Sequence, residues 1–162
     1  MLSVIQSKVG IVSCSGEELA EGTVARLATL KVLHDLRSAN TVTICLPLFL
    51  AGGEGDREFA RHHPTITVDG CDFRCAAHGT ERYSGRPAVS IVVNEVVAAS
   101  GFEPPEGRRC LNDAGKQAVN LVASRIAQAV DDLTAQRLHP VPPNPPPGPA
   151  GGGANSGKGP DR

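Results

Sequence analysis

The chain has 162 residues and a formal net charge of −1, with five cysteines, no tryptophan and 3% aromatic side chains. The near-zero charge, with no basic cluster, argues against binding nucleic acid through its phosphates, and the scarcity of aromatics argues against a base-stacking surface. The longest apolar run, 44–51, is far too short to cross a bilayer and contains Pro47, so no membrane partner is expected.

Residues 1–10 lack a charged leader followed by a long apolar stretch. No signal peptide is expected, and the protein should be cytoplasmic. Val9, Gly10, Ile11 and Val12 form a short apolar run ending in Ser13-Cys14-Ser15-Gly16, which predicts a buried strand and a turn. Over 17–37, Val24, Leu27, Leu30 and Leu33 recur about once per turn, which predicts a helix. Gly22 either delays its start or allows close backbone packing. The β-branched run 41–46 predicts a second strand, closed by Pro47. A glycine-rich loop follows at 51–56, then a short helix through Phe59 to His62. The loop lacks the Lys-Ser/Thr of a phosphate-binding loop and is read as a flexible connection that could act as a lid.

Residues 65–68 predict the third strand, 71–83 include a helix, and 88–93 predict the fourth strand. The clearest helix spans 113–138, with Val119, Val122, Ile126, Ala129 and Leu133 at 3–4 spacing and Asn112 or Asp113 as its cap. From His139 onward proline and glycine dominate, and 139–162 is expected to be a disordered tail. Residues 1–138 are then one domain. Strands alternating with helices, and strands apolar on both faces, predict an α/β fold: a small three-layer sandwich around a mainly parallel sheet of about four strands.

In a parallel sheet all strand C-termini share one edge. Cys14 follows the first strand, Cys45 ends the second, Cys71 follows the third and Cys75 lies four residues on. Cytoplasmic thiols stay reduced, so these are read as metal ligands, redox groups or buried small side chains rather than disulfides. Four thiolates suit Zn²⁺, which favours soft ligands in a tetrahedron. Cys71 and Cys75 would share a helical face if the helix starts early, or form a turn-plus-helix clamp. Asp69-Gly70 would supply a tight turn, and helix N-termini, helped by Arg74, would lower the thiol pKa values. His78, three residues after Cys75, could complete a three-cysteine site. His62 and His63 fall at the opposite sheet edge. Asp69, Asp72 and Glu95 are carboxylates near the same edge as the cysteines.

The turn Cys14-Ser15-Gly16, the segment Cys45-Leu46 followed by a glycine-containing loop, and Asp69-Gly70-Cys71 with Cys75 after it resemble the DGC-domain family, named for its Asp-Gly-Cys motif. The resemblance runs from about Val9 to Gly101. It implies zinc bound through Cys14, Cys45, Cys71 and Cys75, in a structural, sensing or metal-handling role. Cys110 lies outside the pattern and is read as a packing or surface thiol. The loop at 52–56 is more polar than the family pattern. The alternative from the same residues is a cysteine-dependent sulfur-transfer or redox enzyme, with Cys71 as nucleophile and Cys75 or Cys14 as resolving thiol.

Overall fold

The computed structural model describes residues 8–138. The expected tail, 139–162, lies outside the described residues. Strand β1 (Val9–Ser13) leads through helix α1 (Ala20–Lys31) to β2 (Thr41–Thr43). Three short helices follow, α2 (Leu46–Ala51), α3 (Glu54–Arg57) and α4 (Phe59–His62). Then come β3 (Thr65–Asp69), α5 (Cys75–Tyr83), β4 (Val89–Val92), α6 (Val93–Ser100) and α7 (Asp113–Leu138). The four strands form one sheet in the order β2-β1-β3-β4. Every pairing is parallel, with Val9 opposite Thr41, Gly10 opposite Thr65 and Ile66 opposite Val89. The expected α/β class and parallel sheet are therefore present. No helix among the described residues is long and apolar enough to cross a membrane.

The two sheet faces are covered unequally. Val9, Ile11, Ile66, Val68 and Ile91 pack with α1, α6 and α7 into the main core, around Val24, Val122, Ile126 and Val130. On the other face Val12 meets Leu46, Phe49 and Ala76 from α2 and α5, a much smaller cluster. Alternation along β1 explains the division, because successive side chains of a strand point to opposite faces. Each fully buried Val, Ile or Phe contributes about 1.5–3 kcal/mol of transfer free energy, so the α1/α7 side carries most of the hydrophobic stabilisation.

Several boundaries differ from the sequence expectation, each for a local reason. Strand β2 stops at Thr43, and Pro47 opens α2 instead of closing a strand. Its ring fixes a helical φ, and its missing N–H is one that a first turn leaves unbonded anyway. The loop at 51–56 includes the turn of helix α3, after Gly52 ends α2 at φ +101°. Helix α1 starts at Ala20 and closes with one wide turn, in which the Arg37 N–H donates to the Val32 carbonyl at 2.8 Å. Helix α6 was not expected. The run of valines that continues β4 bends into a helix whose Val93 and Val97 face the core, and Gly101 ends it at φ +73°.

The strand order places a topological switch between β1 and β3. The chain leaves β1 toward α1 on one face and leaves β3 toward α5 on the other. The connections diverge there, at the strand C-termini, the place where open α/β sheets bind their ligands.

Candidate metal centre

Cys14 sits at this switch, one residue past β1. Its backbone N–H extends the ladder to the Val68 carbonyl at 2.9 Å. Its sulfur accepts the Gly70 N–H at 3.3 Å. The side chain is half-buried and touches both apolar clusters. The charges acting on it come from Asp69, Cys75 and Cys71, so two of the other three expected ligands lie within electrostatic reach of Cys14. Cys71 is half-buried and Cys75 is exposed. Cys45 is not among the groups that act on Cys14. It stands exposed two residues past β2, at the N-cap of α2, and accepts the Phe49 N–H through its carbonyl.

Helix α5 begins at Cys75, so Cys71 lies in the turn before it and the two do not share a helical face. The turn-plus-helix arrangement is the one found. Arg74, at the N-cap, is the one non-glycine with positive φ among the described residues (φ 48°, ψ 47°). Asp69, 1% exposed, accepts the N–H groups of Ala76 at 2.7 Å and Ala77 at 3.1 Å. The carboxylate of the Asp-Gly-Cys motif is therefore the cap of the helix that carries Cys75. Burial holds the Asp69 carboxyl above the usual carboxylate range, against the pull of those two N–H groups and of Arg74.

The glycine of the motif has a different role from the one expected. Gly70 is not in the left-handed region. A Cβ there would come 2.6 Å from the Gly22 nitrogen and 2.7 Å from its Cα, and Gly22 in turn lies against Gly16. Three backbones from the β1 turn, the first turn of α1 and the β3 turn pack together with no side chain between them. The Thr23 hydroxyl, one residue on, bonds the Gly16 carbonyl at 3.3 Å and the Arg108 carbonyl. This fastens the loop before α7, which carries the exposed Cys110, to the Cys14 turn. Sequence reasoning passed over Thr23 and Asn94. The Asn94 N–H donates to the Gly70 carbonyl at 3.3 Å, and its amide donates to Asp72 at 3.0 Å. Nothing local in the sequence marks either residue, because their partners are 7 to 85 residues away.

The electrostatics also depart from expectation. Burial pushes the Cys14 thiol up, and the Gly70 N–H only partly offsets this. A thiolate nucleophile needs the opposite shift. Phe73, between Cys71 and Cys75, is 82% exposed. His78 is exposed on α5, and His62 and His63 lie on the far side, where His63 Nδ1 is 2.8 Å from the Lys8 carbonyl. Glu95 is exposed at the start of α6. Among the described residues, no three His, Cys, Asp or Glu side chains converge closely enough to hold a metal as they stand. The donor chemistry fits zinc in kind, with soft thiols from separate strand ends and a backbone N–H already on one sulfur. The convergence itself is incomplete.

Among curated proteins and among solved structures, none matches the chain. The DGC domain matches residues 10–110, which include Cys14, Cys45, Cys71, Cys75 and, as the last residue, Cys110. Well over half of the sequence is covered, and the chain belongs to the DGC-domain family.

Proposed function

We propose that this DGC-domain protein binds one zinc ion through Cys14, Cys45, Cys71 and Cys75, in a structural, sensing or metal-handling role. The observation that carries the reading is the Cys14 thiol fixed by the Gly70 N–H at the β1/β3 switch, within electrostatic reach of Cys71 and Cys75. Bound zinc would cross-link the ends of three strands and offset the charge of the thiolates around it. The chain's own contribution is to hold the donors. The Gly70 N–H orients the Cys14 sulfur, and Asp69 fixes the start of the helix that bears Cys75. Cys71 and Cys75 sit on a turn and a first helical residue. The exposed Cys45, at the N-cap of α2, would be the fourth donor.

Cys71→Ala tests the reading against Cys110→Ser as control. Cys71→Ala is expected to lose the metal and to lower Tm by about 10 °C, equivalent to roughly 3 kcal/mol for a chain of this size. Cys110→Ser should keep both. Unchanged metal content and Tm in Cys71→Ala would overturn the proposal.

A further inference from the structure

Among the described residues β2 and β4 are the two edge strands of the sheet, and β4 is the longer. β4 is its last strand, and beside it lies a groove of about 350 Å³ between the strand, the start of α6 and the second half of α7. The Ala88 N–H donates to the Thr65 carbonyl at 2.8 Å. In a parallel ladder alternate residues bond the same neighbour, so Ser90 and Val92 also face β3. The N–H and C=O groups of Val89 and Ile91 then point away from the sheet. An open edge of this kind is a template for another strand unless it is blunted by charge, a bulge or a covering element. β4 itself carries no charged residue.

The groove wall is apolar at its floor and charged at its rim. Val89, Val96, Ala129 and Leu133 line the floor. Arg125 and Asp132 stand on the α7 side of the rim, both exposed, seven residues and thus two turns apart on one face of the helix, and the exposed Glu95 stands on the α6 side. Among the described residues Arg125 has no carboxylate partner, and Asp132 accepts only a neutral amide, from Gln128 at 2.9 Å. The α7 side of the rim, with one basic and one acidic group at this spacing, is complementary to itself. A two-fold axis between Gln128 and Ala129 brings Arg125 of each copy against Asp132 of the other.

We infer that the β4 edge is a homodimer interface, in which two copies pair β4 antiparallel about Ser90 and exchange Arg125–Asp132 ion pairs between their α7 helices. The Val89 N–H and C=O bond those of the partner's Ile91, and Ile91 bonds the partner's Val89. Ser90 meets its own copy in the unbonded position on the axis. The result is one continuous eight-stranded sheet. The same face of each copy supplies both halves, which is the self-complementarity a closed two-fold dimer requires. Burial of the groove floor supplies the apolar contact, and the ion pairs select the antiparallel register.

Sedimentation velocity on the full-length chain tests this. Wild type should sediment as a dimer, at twice the 16.8 kDa chain mass. Arg125→Asp and Asp132→Arg should each weaken it by about tenfold or more, and the double variant should recover most of the loss. Val89→Pro removes an N–H that faces away from β3, with a half-buried side chain that packs at the margin of the core, and an edge strand tolerates proline there. It should give a monomer with unchanged metal content and circular dichroism, so a failure of the zinc reading and a failure of this one are separable. A wild-type monomer would overturn the inference, including the case in which another part of the chain covers β4. So would a dimer indifferent to Val89→Pro, or a charge-swapped double variant no tighter than the single ones.

Discussion

Gly70 holds Cys14 by its N–H and Asn94 by its carbonyl while its Cα faces the backbone of Gly22. An alanine methyl there meets backbone atoms that cannot rotate away. Gly70→Ala should therefore cost about 1–3 kcal/mol by overpacking. Gly55 is the matched control. A Cβ at Gly55, inside the turn of α3, meets nothing within 4 Å. Gly55→Ala should be neutral or stabilising by about 0.5 kcal/mol, since alanine is the better helix former and restricts the unfolded chain. Urea denaturation of the pair checks this, and equal midpoints would refute the close-packing account of the motif. The motif itself was legible as a turn after a strand. Its glycine was read as a conformational need because Asp-Gly suggests a turn, whereas the real constraint is a contact with a residue 48 positions earlier. Gly22 carried the complementary signal, a glycine inside a helical pattern.

At the scale of elements, α7 is joined to the wide turn that ends α1. Arg37 bonds both carboxylate oxygens of Asp131, Nε to Oδ1 at 2.7 Å and Nη2 to Oδ2 at 2.6 Å. The hydrogen bonds from Arg37, more than its charge alone, hold the Asp131 carboxyl below its ordinary value of 3.8. A carboxyl depressed in the folded state stabilises above its unfolded pKa, and the contribution is lost as the pH falls through the folded pKa. The side chains are 34% and 45% exposed, so solvent screens the pair and the effect is small. Asp131→Asn should lower Tm slightly at pH 7 and match wild type once the pH lies below the folded pKa. A gap that persists there would assign the loss to packing instead. Elements with a strong period were readable, namely α1, α7, β1 and β3. The end of β2 and the whole of α6 were not, because an apolar run of four to eight residues does not distinguish a buried strand from a helix. At Pro47 and Val93 the chain changes element inside such a run.

Across the whole molecule, stability is uneven between the two faces of the sheet. The α1/α7 side buries the larger core, and α2, α3 and α4 rest on a cluster centred on Phe49. Both α3 and α4 are four-residue turns with no buried residue. Native-state hydrogen exchange should show amides of α2–α4 opening at a lower free energy than those of β1, β3 and α7. Uniform exchange by global unfolding would contradict that division. Cys45 lies at the entrance to the weaker layer, whereas Cys14 and Cys71 lie on the firmer strand ends. This explains why the strand ends next to Cys14 and Cys71 could be foreseen and the place of Cys45 at a helix N-cap could not. That the strand C-termini share one edge follows from parallel alternation, but the path after β2 depends on the proline in the first turn of α2. In the proposed site Cys45 would be the ligand for the metal to draw in.

The central claim is the four-cysteine zinc site, and metal content tests it most directly. Protein purified without added metal is analysed by elemental mass spectrometry, alongside a count of reactive thiols before and after chelation. The account predicts about one zinc per chain, with Cys110 reactive throughout and Cys14, Cys45, Cys71 and Cys75 reactive only once the metal is removed. Metal-free protein that binds no added zinc, with all five thiols reacting from the outset, would contradict it.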